Sequence, residues 1–255
     1  MKKTTMIAAA AAAGLAGSAM ASTLQDTATV DGLGGAVTMK AFDFSGTVFG
    51  GATPPNFTTS SLASMHTLIS DDVETDNKVT FVLGLVNADG DGSNDPDSLG
   101  FFALVDKEFG SFSAVNNSIE MFSTASASNV QWINDAGDGL TTTSGQSGAT
   151  SSGTFGWDDD GKGDGFAWTN LSGGDFMSFN WFETQFDGSG LFDTNIDGFQ
   201  FVSWTGSEFE VVATGDFSSA GQFAFSVTVI PLPPAAFAGL AGLGLAAVAR
   251  RRFRK

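Results

Sequence analysis

Hydrophobic and polar side chains alternate with a period of two residues in several segments of this chain. The alternation covers residues 78–87, 176–182, 199–204, 208–213 and 222–229. A period of two is that of a β-strand with one buried face, as in antiparallel sheets. These segments therefore predict strands, and in the first of them the predicted buried face carries Val79, Phe81, Leu83 and Leu85.

Clusters of Gly, Asp, Asn and Ser separate the predicted strands, at 87–98, 137–153 and 158–165. Between residues 22 and 229 no sustained apolar period of 3.6 residues is present, and only Ser60 to Ile69 is compatible with a short helix. The fold predicted is all-β, a single β-sandwich domain of jelly-roll type. A β-solenoid is the alternative, although no fixed repeat period is found. The stretch 140–153, nearly all Thr, Ser and Gly, is predicted to be a long mobile loop.

The first 21 residues have the pattern of a secretory signal peptide. Lys2 and Lys3 form a positive start, an apolar Ala-rich stretch follows, and Ala19 and Ala21 are small residues where signal peptidase requires them. Cleavage is therefore expected between Ala21 and Ser22. A plain N-terminal helix is the alternative.

Residues 230–255 have a different three-part pattern. A Pro-rich motif comes first, an uncharged span over about residues 232–249 follows, and a basic tail ends the chain. An apolar span before a basic cluster is a stop-transfer arrangement with the positive end in the cytoplasm. Three glycines interrupt the span, and the uncharged run, which reaches twenty residues when it is counted from Ile230, only just crosses a bilayer core of about 30 Å. The motif residues are Ile230, Pro231, Leu232, Pro233 and Pro234, and those of the basic tail are Arg250, Arg251, Arg252, Arg254 and Lys255.

This C-terminal segment resembles the VPLPA variant of the PEP-CTERM sorting signal, with Ile230 where Val is usual and Pro234 where Ala is usual. The resemblance covers about residues 229–255. It implies a transient inner-membrane anchor that an exosortase-type membrane protease processes during delivery to the cell surface. It also implies an association with exopolysaccharide and biofilm matrix in Gram-negative bacteria. An ordinary single-pass anchor is the alternative.

The segment between the two signals, residues 22–229, is strongly acidic. Its four Lys, without any Arg, stand against 28 Asp and Glu, which leaves a formal charge of −24. Such a domain repels nucleic acid and anionic lipid, and it lacks the Arg fork that binds phosphate in a bidentate manner. The chain has no Cys, so disulfides and thiolate metal sites are excluded, and 25 Phe and five Trp supply the core.

Oxygen-bearing side chains recur at every second position in the predicted loops, which is a pattern that can surround calcium. Asp193 to Gly198 resembles the first half of an EF-hand loop, but Trp204 stands where its last ligand, a Glu, would be required. The alternative is that Asp and Asn serve ordinary β-turns. A third set, Asp158, Asp160 and Asp164, is interrupted by Lys162. The calcium candidates are Asp89, Asp91, Asp95, Asp193, Asn195 and Asp197.

No catalytic residues are predicted. His66 is the only histidine, no Gly-x-Ser-x-Gly motif accompanies it, and a solvated or helix-capping role is expected for it. Glu208 and Glu210 share one face of a predicted strand, which is expected to be the solvent face. Trp157 and Trp168 lie near acidic or amide residues and could stack on sugar rings, although core positions are the alternative.

Three functions remain open at this point. The leading one is a non-enzymatic cell-surface or matrix protein that is exported by the general secretory route and sorted by an exosortase-type protease. The second is a calcium-assisted carbohydrate-binding module for exopolysaccharide. The third is a glycan-active hydrolase, since such enzymes need only two suitably spaced carboxylates.

Overall fold

A computed structural model describes residues 26–32, 34–45, 57–76, 78–87, 95–105, 115–124, 129–133, 140–143, 150–157, 164–185, 198–215 and 222–231. These residues form fourteen β-strands and one α-helix, and the strands belong to two open sheets. The prediction of mainly β structure with at most one short helix is confirmed for this part of the chain.

Sheet 1 has seven strands in the order β2-β1-β14-β11-β6-β9-β8, and every neighbouring pair is antiparallel. Its strands are β1 (Thr27–Asp31), β2 (Val37–Lys40), β6 (Val115–Ser123), β8 (Leu140–Thr143), β9 (Thr150–Trp157), β11 (Phe176–Gln185) and β14 (Gln222–Val229).

Sheet 2 contains a path of six strands in the order β13-β12-β4-β5-β10-β7, with β3 pairing beside β12 on the same edge of β4. The pairings of β4 with β12 and with β3 are parallel, and the others are antiparallel. Its strands are β3 (Phe42–Asp43), β4 (Lys78–Val86), β5 (Ser98–Val105), β7 (Asn129–Ile133), β10 (Asp164–Leu171), β12 (Gly198–Trp204) and β13 (Phe209–Gly215).

The two sheets share one hydrophobic cluster that is rich in phenylalanine. Phe81 of sheet 2 lies 4.8 Å from Phe201 of the same sheet and 4.9 Å from Phe225 of sheet 1, measured between ring centroids. Phe225 in turn stacks on Phe179 of sheet 1 at 4.6 Å. These side chains are at most 4 % exposed. Aromatic contacts at such distances add to the stabilisation that burial itself supplies, so the sheets are held to each other mainly by these rings.

Helix α1 (Thr59–Ser70) covers the outer side of sheet 2. Thr58 caps its N-terminus: the side chain of Thr58 accepts a hydrogen bond from the Ser61 amide, and the Ser61 hydroxyl accepts one from the Thr58 amide. Leu62, Met65 and Ile69 lie on its buried face, against side chains of β4, β5 and β12. The short helix predicted over residues 60–69 is therefore confirmed.

The predicted alternation is observed in sheet 1 but not in the centre of sheet 2. In β11 and β14, Met177, Phe179, Phe225 and Val227 are buried, whereas Asn180 and Ala224 are exposed. In β4, by contrast, nearly every side chain is buried, whichever face of the strand it lies on. The prediction that only one face of residues 78–87 is buried was wrong, because α1 and the strands beside it place a second hydrophobic cluster on the outer side of that strand.

The predicted long loop over residues 140–153 is also contradicted. Leu140–Thr143 and Thr150–Trp157 are strands β8 and β9. They pair with each other, and β8 is the edge strand on that side of sheet 1. Residues 144–149 lie outside the described residues. Thr is a favourable strand residue, and β9 is paired with β6 along its whole length, so backbone pairing explains how a segment that consists mostly of Thr, Ser and Gly joins the sheet.

Candidate functional site

The predicted sorting motif begins where strand β14 ends. Val229 is the last residue of β14, and the amide of Ile230 still donates a hydrogen bond to the Thr27 carbonyl at 3.0 Å. Ile230 is 36 % exposed and Pro231 is exposed. Pro has no amide hydrogen and cannot continue a ladder, so the sheet stops at the first proline of the motif. Leu232, Pro233, Pro234 and the basic tail 250–255 lie outside the described residues.

The N-terminal end of the described chain lies beside this motif. Strand β1 begins at Thr27 and runs antiparallel to β14, with Ala28 opposite Val229. Neighbouring strands lie about 4.8 Å apart, so the chain enters β1 and leaves β14 at one corner of sheet 1. The predicted cleavage residues Ala19, Ala21 and Ser22 lie outside the described residues. The four-residue separation between Ser22 and Asp26 spans at most about 14 Å when fully extended.

The turn between β10 and β11 fixes this corner from the other side. The carbonyl of Val229 accepts a hydrogen bond from the Gly174 amide, and the Val229 amide donates to the Asp175 carbonyl, both at 2.9 Å. Asp175 also accepts hydrogen bonds from the amide and the hydroxyl of Ser172. The amide and the carbonyl of Val229 are thus both hydrogen-bonded to this turn, and the Ile230 amide is bonded to β1 on the other side, so the motif leaves a firmly paired part of the sheet.

The calcium candidates fall almost entirely outside the described residues. Of the six, only Asp95 is described, in the bend that precedes β5. Within the described ranges no group of three or more His, Asp or Glu side chains is arranged to hold a metal ion. Calcium binding by this protein stays a prediction. The five candidates outside the described residues are Asp89, Asp91, Asp193, Asn195 and Asp197.

An acidic cleft of about 430 Å³ follows helix α1 and is lined by residues 70–76. Its polar groups serve the fold. A carboxylate oxygen of Asp72 accepts a hydrogen bond from the Phe209 amide at 2.8 Å, and the Glu74 carbonyl accepts one from the Gln200 side chain at 2.9 Å. Gln200 also donates to the Thr80 hydroxyl. These contacts attach the loop to the edge of sheet 2, and nothing further about a ligand follows from them.

The expected role of His66 is corrected by the structure. His66 is only 1 % exposed and lies in the middle of helix α1. The residue that caps the N-terminus of that helix is Thr58, so His66 caps neither end. A solvated or capping histidine was the wrong prediction, because the 3.6-residue period of the helix turns position 66 away from solvent. Glu208 and Glu210 are exposed as predicted.

The proposed sugar-stacking role of Trp168 is likewise contradicted. Trp168 is 1 % exposed and packs edge-to-face against Phe179 at 5.7 Å, inside the cluster between the sheets. Trp157 ends strand β9, and its side chain is not described. Two aromatic side chains that sequence reasoning missed are exposed instead: Phe122 at 40 % and Phe176 at 37 %. Phe176 is out of phase with Met177 and Phe179, which was a signal that it faces solvent.

Comparison of this chain with protein-family models, with curated proteins and with solved structures finds no match. Among the described residues, no helix combines the length and the apolar character that crossing a membrane requires. The conclusions about function therefore rest on the chain itself.

Proposed function

We propose that this protein is an exported, non-enzymatic cell-surface or extracellular-matrix protein of a biofilm-forming bacterium, sorted by an exosortase-type membrane protease. The observation that supports this proposal most is the common exit of both chain ends at the corner formed by β1 and β14. A C-terminal anchor would then hold this corner of the sheet at the membrane after the N-terminal secretory signal has been removed.

The close spacing of sheet and motif gives this arrangement a physical rationale. No linker separates Val229, the last paired residue of β14, from the motif that begins at Ile230. The exposed side chains of Ile230 and Pro231 stand at the surface of the folded part. A membrane-embedded protease would therefore reach the motif directly at the end of β14, with the folded part still intact. Cleavage beyond Pro231 would remove no described strand.

We propose in addition a more specific fold for this protein, a β-sandwich of jelly-roll type. The support is the path of the chain, which passes repeatedly from one sheet to the other: β5 lies in sheet 2, β6 in sheet 1, β7 in sheet 2, β9 in sheet 1, β10 in sheet 2 and β11 in sheet 1. Alternate passage between two packed sheets is typical of jelly rolls, and the pairings here are antiparallel except those of β4 with β12 and β3. The shared phenylalanine cluster supports the face-to-face arrangement.

The test is mass spectrometry of both termini of the protein isolated from the surface of the producing bacterium. The expected mature form begins at Ser22 and lacks residues 250–255. In a variant with Pro231→Ala and Pro233→Ala, the tail should be retained and the protein should accumulate in the inner-membrane fraction. Pro96→Ala is the matched control, since Pro96 lies in a loop far along the chain from the motif. A surface form with an intact basic tail contradicts the proposal.

A further inference from the structure

The outer face of sheet 1 carries a row of hydroxyl side chains that crosses four strands. The backbone register aligns Thr38 of β2 with Thr29 of β1, Thr29 with Thr228 of β14, and Thr228 with Phe176 of β11. All four side chains are exposed or half-buried. Four neighbouring strands cover about 14 Å in the hydrogen-bonding direction. This row is therefore an extended polar strip that ends in an aromatic ring.

A second row lies next to the first. Asp31 of β1 is opposite Ser226 of β14, Ser226 is opposite Ser178 of β11, and Ser178 is opposite Phe122 of β6. Phe122 and Phe176 are diagonal neighbours across β6 and β11, a relation in which Cα atoms are about 7–8 Å apart. The two exposed rings thus form one small aromatic patch at the end of both rows.

The exposure of these two rings is selective. The phenylalanines of the cluster between the sheets, such as Phe179 on the opposite face of β11, are almost completely buried. Alternation places Phe176 and Phe122 on the solvent side, where part of each ring stays exposed. Among the described side chains of this face, these two rings are the large apolar groups that remain exposed.

The backbone beneath the patch is firmly held. The Thr124 hydroxyl accepts a hydrogen bond from the Phe176 amide at 3.0 Å and the Thr124 amide donates to the Phe176 carbonyl at 2.9 Å. These bonds join the end of β6 to the start of β11. The rings consequently have a fixed spacing before any ligand arrives, which reduces the entropy lost on binding.

The side chains around the rings indicate the ligand. Ser and Thr hydroxyls donate and accept hydrogen bonds and carry no charge, and aromatic rings offer a flat apolar surface. A sugar ring presents matching groups, since its hydroxyls lie at the rim and its C–H groups form an apolar face. Asp31 on this face and the formal charge of −24 on residues 22–229 repel acidic polymers. The complement is therefore an uncharged polysaccharide.

We propose that the outer face of sheet 1 binds a neutral polysaccharide, with Phe122 and Phe176 stacking on sugar rings and the neighbouring Thr and Ser hydroxyls hydrogen-bonding to the glycan. This site is separate from the acidic loops that could bind calcium, so it needs no metal. It also goes beyond the sorting proposal and is tested without reference to the C-terminal signal.

The experiment measures retention of the mature protein, isolated from producing cells, on cellulose and its mobility in native gels that contain dextran, mannan or alginate. The wild-type protein should bind at least one of the three neutral glycans and should not bind alginate. Phe122→Ala and Phe176→Ala should each weaken that binding about tenfold, and the double variant should abolish it. Val211→Ala is the matched control, because Val211 is similarly exposed, at 41 %, on β13 of the other sheet.

Circular dichroism and thermal melting establish that the variants are folded, which is expected because both rings are exposed. Three results overturn the proposal: no retention of the wild-type protein on cellulose, dextran or mannan; equal binding to alginate; or unchanged binding by the double variant. Sedimentation at increasing protein concentration tests a second copy of the chain as the occupant. Self-association that the double variant abolishes, without any glycan binding, likewise overturns it.

Discussion

The two sheets differ in what lies on their outer faces. Among the described side chains of sheet 1, one face is buried and the other is exposed, and the large apolar side chains on that exposed face are the Phe rings described above. The central strands of sheet 2 are buried on both faces, because helix α1 and the segment around Phe44 cover the outer side. The same type of strand, rich in Phe and Val, is therefore half exposed in one sheet and fully enclosed in the other.

The difference teaches that a covering layer, here helix α1 and the Phe44 segment on the outer face of sheet 2, requires space as well as apolar side chains. Gly84 and Gly100 are opposite each other on β4 and β5. A Cβ atom on Gly84 would lie 2.6 Å from Phe44, and one on Gly100 would lie 2.6 Å from Phe102. The two glycines thus leave room for the rings that pack beneath α1. A glycine pair on adjacent strands was a signal of this layer that hydrophobic alternation did not reveal.

The largest effect is expected when an enclosed ring is removed. Phe102 is fully buried on the outer side of sheet 2, with ring contacts to Phe57 at 5.5 Å and to Phe44 at 6.5 Å. Phe102→Ala should lower the free energy of unfolding by about 3–5 kcal/mol, because it removes a buried ring and leaves a cavity. Urea denaturation of the mature protein measures the change.

The matched control is Phe122→Ala on the outer face of sheet 1, where the ring is 40 % exposed. That substitution should lower the free energy of unfolding by no more than about 1 kcal/mol. Equal losses for the two variants would show that the outer faces of the two sheets do not differ in the way described.

An intermediate effect is expected when the space beneath the covering layer is filled. Gly100→Ala places a methyl group against the ring of Phe102, at 2.6–2.7 Å from its nearest carbon atoms. Overpacking of this kind should destabilise the protein by about 1–3 kcal/mol. Thermal melting monitored by near-ultraviolet circular dichroism measures it. The double variant Gly100→Ala with Phe102→Leu should recover part of the loss if the contact is its cause, and additive losses would contradict that explanation.

A smaller effect is expected at the start of the covering helix. Thr58→Ala removes the hydroxyl that accepts the Ser61 amide and should lower the free energy of unfolding by about 1 kcal/mol. Hydrogen exchange of the amides of α1 should rise more than that of β14 in sheet 1. Thr58→Ser is the control, because it keeps the hydroxyl. Uniform acceleration of exchange in both elements would argue that α1 is not a separable cover on sheet 2.

Much of the strand pattern could be predicted without the structure. The alternation in β11 and β14 is a local property of the backbone, since neighbouring side chains of a strand point to opposite faces. The segments 199–204 and 208–213, which alternation predicts as strands, pair as β12 and β13 with Trp204 opposite Phe209. Residues 60–69 were compatible with a short helix, although no sustained 3.6-residue apolar period indicated it, and the helix is observed over Thr59–Ser70.

The missed features share one cause, which is contact between residues far apart in the chain. Trp168 is buried because β10 faces β11 across the cluster between the sheets, and His66 is buried because its helix lies on sheet 2. Strands β8 and β9 join sheet 1 through backbone hydrogen bonds that do not depend on large side chains. None of these contacts leaves a trace in the local pattern of hydrophobic and polar residues.

The sequence by itself determined that this chain is mainly β, that its middle is acidic, and which residues could serve export and sorting. These are local or compositional properties, and they need no knowledge of which segments meet. Only the tertiary structure decided that the entry to β1 and the exit from β14 share one corner, and that Phe122 and Phe176 form an exposed patch while Trp168 does not. Those outcomes depend on the pairing order of the strands and on which face each sheet buries, and both are set by long-range packing.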